Sequence, residues 1–271
     1  MKSPFLILLL GTSMLFPSCY RYAYYQHPRH TQTMPYREIP LQSEHRPVAV
    51  YAATALSRGE SNEWLSDGHW TFTGSGHLSL QRKYVQGFAA VELSTGDYFV
   101  RPPDDYTGSY YDNLNWDPDF IRPRAGHKNF GAWGLHMGIN GVIPFAKGGE
   151  WRFLGVEYNR QQEWGQYLKF RQSLPVTAAN VIDPSAIYQT IGFSSDIISK
   201  TRRGSVGYKF GLVLSLNPLT YYDNYRVPRR EQPGAWIQTL HLNVDRFTWY
   251  VQLNTGYRAY SMLTGLSYRL R

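Results

Sequence analysis

From Val206 to Leu216 the chain alternates with period two. Val206, Tyr208, Phe210, Leu212, Leu214 and Leu216 share one parity; Ser205, Gly207, Lys209, Gly211, Val213 and Ser215 share the other. One face is apolar and the other small or polar, which predicts a β-strand. The pattern recurs three times before the end. Trp236, Leu240, Leu242 and Val244 oppose Thr239, His241 and Asn243. Phe247, Trp249, Val251 and Leu253 oppose Thr248, Tyr250, Gln252 and Asn254. Tyr260, Met262, Leu266, Tyr268 and Leu270 oppose Ser261, Gly265, Ser267 and Arg269.

The same reading upstream predicts strands over 48–57, 70–81, 88–99, 130–143, 151–160 and 187–199, which makes ten; eight or twelve are the neighbouring counts. Links near 84–87, 146–150, 200–204 and 245–246 are short. Those at 58–69, 100–129, 161–186 and 218–234 are long, and the link near 256–259 is a short exception. Alternating short turns and long loops fit an all-β, closed antiparallel up-and-down transmembrane β-barrel, with the short turns periplasmic and the long loops outside. The competing architecture is a soluble sandwich or lipocalin-like barrel, which would turn the apolar face inward. The second face argues for the membrane: it is Gly, Ser, Thr, Asn and Gln with single charges, while large aromatics cluster near strand ends.

Composition agrees. The 271 residues include 22 Tyr, 8 Trp and 24 Gly, suited to aromatic belts, tight turns and small lumen-facing positions. Mean hydropathy is −0.43, and the mature chain has no run of about 20 apolar residues, so no helix is predicted to span a bilayer. The net charge is +8 with a pI near 9.4. Lys and Arg are scattered through turns and loops and form no long basic run, which speaks against nucleic acid and for anionic lipid head groups or lipopolysaccharide as partners.

The first residues read as an export signal (1–18): Lys2, then an apolar stretch from Pro4 to Phe16. It ends Leu15-Phe16-Pro17-Ser18-Cys19, and Cys19 is the only cysteine. Placed there, Cys19 resembles the acylated cysteine of a bacterial lipobox, with Phe16 and Pro17 departing from the usual residues; an ordinary signal peptide is the alternative. Residues 19–46 have no periodicity and carry Pro28, Pro35 and Pro40, which predicts an extended lipid-anchored periplasmic tether, followed by a barrel over 47–271. The spacing of His27, His30 and His45 does not suggest a metal site.

Taken in order, the lipobox, the tether ending Ile39-Pro40-Leu41, and the paired strands resemble small lipidated outer-membrane barrel proteins of Bacteroidota. The segments Asn129-Phe130-Gly131-Ala132-Trp133-Gly134, Phe153-Leu154-Gly155-Val156-Glu157-Tyr158 and Gly265-Leu266-Ser267-Tyr268-Arg269-Leu270 carry the likeness. It implies an outer-membrane location, with the amino terminus on the periplasmic side, more than it implies an activity.

The inward parity places Glu92, Glu157, Asp196, Lys209 and Arg269 in the lumen, with His77, His136 and His241. A ten-stranded lumen is narrow and filled by side chains, and buried charge must be paired, so these residues are expected to form a polar network. His77 and Ser79 share a face, but such pairs arise by chance in Ser-rich strands, and the expectation is a protein that is not an enzyme and needs no cofactor. The loop at 101–128 is rich in acids and aromatics. Its acidic spacing lacks the Gly and Glu of a calcium hand, and Tyr110, Tyr111 and Trp116 are candidates for contact with a partner protein or glycan. The expected role is a structural or accessory subunit of an outer-membrane assembly, secretion or uptake complex; the alternatives are a narrow pore for small solutes and, more remotely, a lipid-modifying barrel.

Overall fold

The computed structural model describes residues 23–62, 67–103, 117–222, 228–256 and 259–270. The signal segment, Cys19, Tyr110, Tyr111 and Trp116 lie outside them.

Ten strands close into one antiparallel barrel: β2 (Val48–Asn62), β3 (Asp67–Gln81), β4 (Val85–Val100), β5 (Gly126–Pro144), β6 (Glu150–Gly165), β8 (Ile187–Lys200), β9 (Gly204–Ser215), β12 (Gly234–Val244), β13 (Phe247–Gly256) and β14 (Ala259–Arg269). Each pairs with the next in this order. The ring closes where β14 meets β2, with Tyr260 opposite Glu60 and Arg269 opposite Tyr51. The ten predicted strands are all present, most of them extended by a few residues. One predicted long link is corrected: β2 runs on to Asn62 and β3 starts at Asp67, so the loop at 58–69 shrinks to the residues between these two strand ends.

The apolar parity faces outward. Phe210 and Trp249 are exposed, and Leu212 and Val251 half-exposed, while Ser205, Thr239, Thr248 and Gln252 are buried. A soluble barrel would show the reverse. Exposed aromatics gather at both ends of the outer wall: Trp70, Trp236 and Tyr260 toward the loops, Tyr84, Trp151 and Phe247 toward the turns. An apolar outer band between two aromatic girdles around a polar interior is the arrangement that hydrocarbon selects.

Strict alternation breaks once with consequence. A bulge at Phe153 shifts the register between Gly141 and Val142 on the neighbouring strand, as a single extra residue does. Upstream of it the parity of β6 inverts, and Arg152 turns inward, buried, although its numbering puts it with the lipid-facing set.

Above the membrane belt the longer strands β4, β5 and β6 carry a cap. A helix over Gln166–Ser173 places Tyr167 and Phe170 against Tyr98, Val100, Ile121 and Phe130 in one apolar cluster. A small sheet joins β1 (Tyr24–Tyr25), β7 (Val181–Ile182), β10 (Leu219–Tyr222) and β11 (Pro228–Glu231). Burial raises the pKa of Tyr167 well above its ordinary value. It raises that of Asp183 as well, against the pull of the Arg171 guanidinium.

The largest correction concerns the predicted tether. Residues 23–41 are all buried and lie inside the barrel. They enter among the long loops and leave at the short turns, where the 3-10 turn Gln42–Glu44 leads into β2. Fixing a backbone costs about 1–2 kcal/mol per residue, so a segment of this length stays put only if bonded along its whole course.

The outer band yields a depth test. Leu93→Arg, at the middle of β4 and exposed to lipid, should destabilise the barrel by about 2–4 kcal/mol, and Val85→Arg at the turn end by about 0–1. Denaturant unfolding from lipid vesicles measures both; equal small costs would mean that these faces do not sit in hydrocarbon.

Candidate functional site: the occupied lumen

Residues 23–41 plug the lumen, and this plug is bonded to the wall from the loop end to the turn end. At the loop end the Ala23 N–H donates to Asn180 Oδ1 at 2.8 Å, and Tyr24–Tyr25 pairs in parallel with Val181–Ile182. His27 stacks on Tyr188 with ring centroids 5.1 Å apart. One turn deeper, Thr31 Oγ1 meets Ser261 Oγ at 3.1 Å, Ser57 Oγ donates to Gln32 Oε1 at 2.6 Å, and Thr190 Oγ1 donates to Thr33 Oγ1 at 3.1 Å. Gln252 grips the backbone from both sides: its Nε2 donates to Met34 O at 3.1 Å and its Oε1 accepts from Tyr36 N at 3.1 Å.

The wall makes room as well as bonds. Gly192 faces the lumen on β8, and a Cβ there would collide with Met34 Sδ. The absence of a side chain is what lets Met34 lie against this strand.

Glu92 is the centre of the electrostatics. Its carboxylate takes Arg37 Nη2 at 2.7 Å and Arg29 Nη1 at 3.3 Å, and Gln161 Nε2 donates to it at 2.9 Å. Both cations come from the plug, and all three charged groups are buried. Arg29 also donates to Ser94 Oγ at 2.9 Å. Plug and wall therefore satisfy one another's charge, which is the condition for burying any of it.

Two further networks lie on the turn side of this one. On the wall, Glu157 pairs with Lys209 and with His136 Nε2, the latter at 2.9 Å. Nearer the turns, Arg152 pairs with Glu150 at 2.8 Å and Asp196 at 3.3 Å and donates to the plug carbonyl of Ile39 at 2.7 Å. His241 Nε2 is 3.0 Å from Asp196 Oδ1, and its ring lies under Tyr36 of the plug at 4.3 Å. At the turn end Gln42 Nε2 donates to Arg82 O at 2.6 Å, Ser43 Oγ to Gly148 O at 2.9 Å, and Arg269 Nη1 pairs with Glu44 Oε2 at 2.6 Å.

Each lumen residue predicted from parity is thus on the inner wall. Glu157, Lys209 and His136 do form a wall network, and Asp196 joins His241. Glu92, His77 and Arg269 instead pair with the amino-terminal segment, which periodicity could not supply. His77 Nε2 lies 2.9 Å from Glu38 O and its ring stacks on Tyr51 at 4.5 Å, while Ser79 Oγ points to Ala49 O at 3.4 Å. The two side chains are engaged separately and are both buried, away from lipid. Sequence reasoning missed Arg29, Arg37, Glu38, Tyr36 and Arg152. The signal for the first two was a deficit: Glu92 has no wall cation as an ion-pair partner among the described residues, so its counter-charge had to arrive from elsewhere.

No family model matches the sequence, and no curated protein matches it. Solved barrels resemble it in shape. The translocator domain of the autotransporter NalP from Neisseria meningitidis aligns over 85% of this chain and 91% of its own, at 10% identity and a TM-score of 0.37. An outer membrane channel from Pseudomonas putida F1 covers 86% and 100%, at 8% identity and 0.41. Outer membrane phospholipase A from Escherichia coli covers 81% and 92%, at 9% identity and 0.27. At such scores the likeness carries no argument about activity.

Removing the shared acid isolates the plug–wall interaction. Glu92→Gln leaves two buried guanidiniums without their carboxylate and should cost about 3–5 kcal/mol. Adding Arg29→Met and Arg37→Met to it should recover much of that loss. Denaturant midpoints of the folded barrel in detergent measure both; a neutral Glu92→Gln would show that the arginines do not depend on it.

Proposed function

We propose that this protein is an outer-membrane barrel closed by its own amino-terminal segment, acting as a structural or accessory subunit of an outer-membrane assembly, secretion or uptake complex, with Cys19 as its lipid anchor. The occupied lumen carries this reading. A pore for solutes needs a path between the girdles, and here that path is filled by residues 23–41, bonded from the cap to the turns. What the molecule then offers to its surroundings is its surface: a lipid-facing band, the cap around Tyr98, Tyr167 and Phe170, and the turn end where Glu44 and Arg269 lock the plug to the last strand. These are surfaces for partners, and lipid and lipopolysaccharide surround the first of them. The polar wall beneath the plug also defines the competing reading, a narrow pore.

Conductance separates the two. The intact protein in a planar bilayer should be silent, and a variant lacking residues 23–41 that still folds should pass small ions. Steady conductance by the intact protein would overturn the closed-barrel reading in favour of the pore.

A further inference from the structure

The plug has a direction, and the direction fixes the mouth of the barrel at which Ala23 sits. Ala23 and Tyr25 lie in the cap: Val181 N donates to Ala23 O at 3.0 Å and Asp183 N to Tyr25 O at 2.9 Å. From there the segment descends past Glu92 and emerges at Gln42–Glu44, beside Arg82, Gly148 and Arg269 at the short-turn end. Only then does it reverse into β2, whose first residues pair with the end of β3 at the same face: Val48 stands opposite Leu80. The chain has therefore crossed the barrel once before its first barrel strand starts. The two ends of the β-ring lie at the turns, while Ala23 lies at the opposite mouth.

We propose that the protein carries its amino-terminal end through its own lumen to the external face, so that the chain preceding Ala23 starts outside and acyl chains on Cys19 enter the outer leaflet. The second half rests on the reading of Cys19 as a lipid anchor and of the long loops as external; the threading does not depend on the lipid. Three residues separate Cys19 from Ala23, and the four Cα steps between them span at most about 14 Å when extended. The apolar band of such a barrel is about 25 Å tall, and the route back through the lumen is occupied. An anchor in the inner leaflet, which the predicted tether implied, is out of reach. The intervening residues Tyr20, Arg21 and Tyr22 are of the types that settle at a membrane–water boundary.

Three epitope insertions test the topology in cells expressing the full chain: between Tyr22 and Ala23, at exposed Val176 in the cap, and at Lys147–Gly148 in a turn. The antibody should bind the first two on intact cells and the third only after the outer membrane is opened. A 22/23 epitope that behaves like the turn epitope would overturn the threading. A turn epitope exposed on intact cells, with the other two hidden, would instead overturn the assigned orientation of the barrel. Should the first insertion disturb the mouth, one between Tyr20 and Arg21 reads the same question. The anchor is read separately, by the mass of the amino-terminal peptide: acyl mass on Cys19 supports the outer-leaflet anchor, and an unmodified Cys19 sinks that half while the epitope pattern still judges the other.

Discussion

A carboxylate in a narrow lumen must find a cation or lose its charge, and this requirement shapes the interior of the molecule. Glu92 sits halfway along β4, buried, and both of its guanidinium partners arrive on a segment that belongs to no barrel strand. The plug has the converse need. Arg29 and Arg37 are only 1% and 4% exposed, and a guanidinium has no neutral state to retreat to. Each half carries buried charge that the other neutralises, so the barrel wall and the amino-terminal segment stabilise one another.

This dependence orders the rest. The three polar networks descend the lumen in sequence, around Glu92, around Glu157, and around Arg152 with Asp196. The first and last include the plug. Between them, backbone groups of an irregular segment are satisfied by wall side chains such as Gln252 and Arg152, which is how non-helical backbone can exist at membrane depth. Outside, hydrocarbon and the two girdles fix the height of the barrel. Above, the cap clamps the loop end of the plug in a small sheet with Val181 and Ile182, and Glu44 with Arg269 clamps the other.

Much of the barrel was legible because alternation is a local signal. Phe210, Trp249 and their partners announce their side by parity alone, and the strand count follows from the turns between them. Arg152 escaped because a bulge is invisible to parity until the register on both neighbours is known. The cap escaped because Tyr98, Tyr167 and Phe170 meet across long sequence separations. The plug escaped for a more basic reason. Residues 23–41 bury polar groups against a polar wall, so they carry neither the 3.6 nor the 2 period of an element that buries an apolar face, and they read as a solvated tether. A surplus of inward acid over inward cation was the one trace they left.

The central claim is that the amino-terminal segment occupies the lumen in the folded protein. Thr31 and Ser261 touch there through their hydroxyls at 3.1 Å. In a Cys19→Ser background, cysteines at positions 31 and 261 should form a disulfide in native membranes, seen as a shifted band that reductant reverses, while a pair at 31 and 205 should not. A folded barrel in which the 31–261 pair stays reduced under oxidant, or reacts with bulky maleimides at position 31, would contradict it.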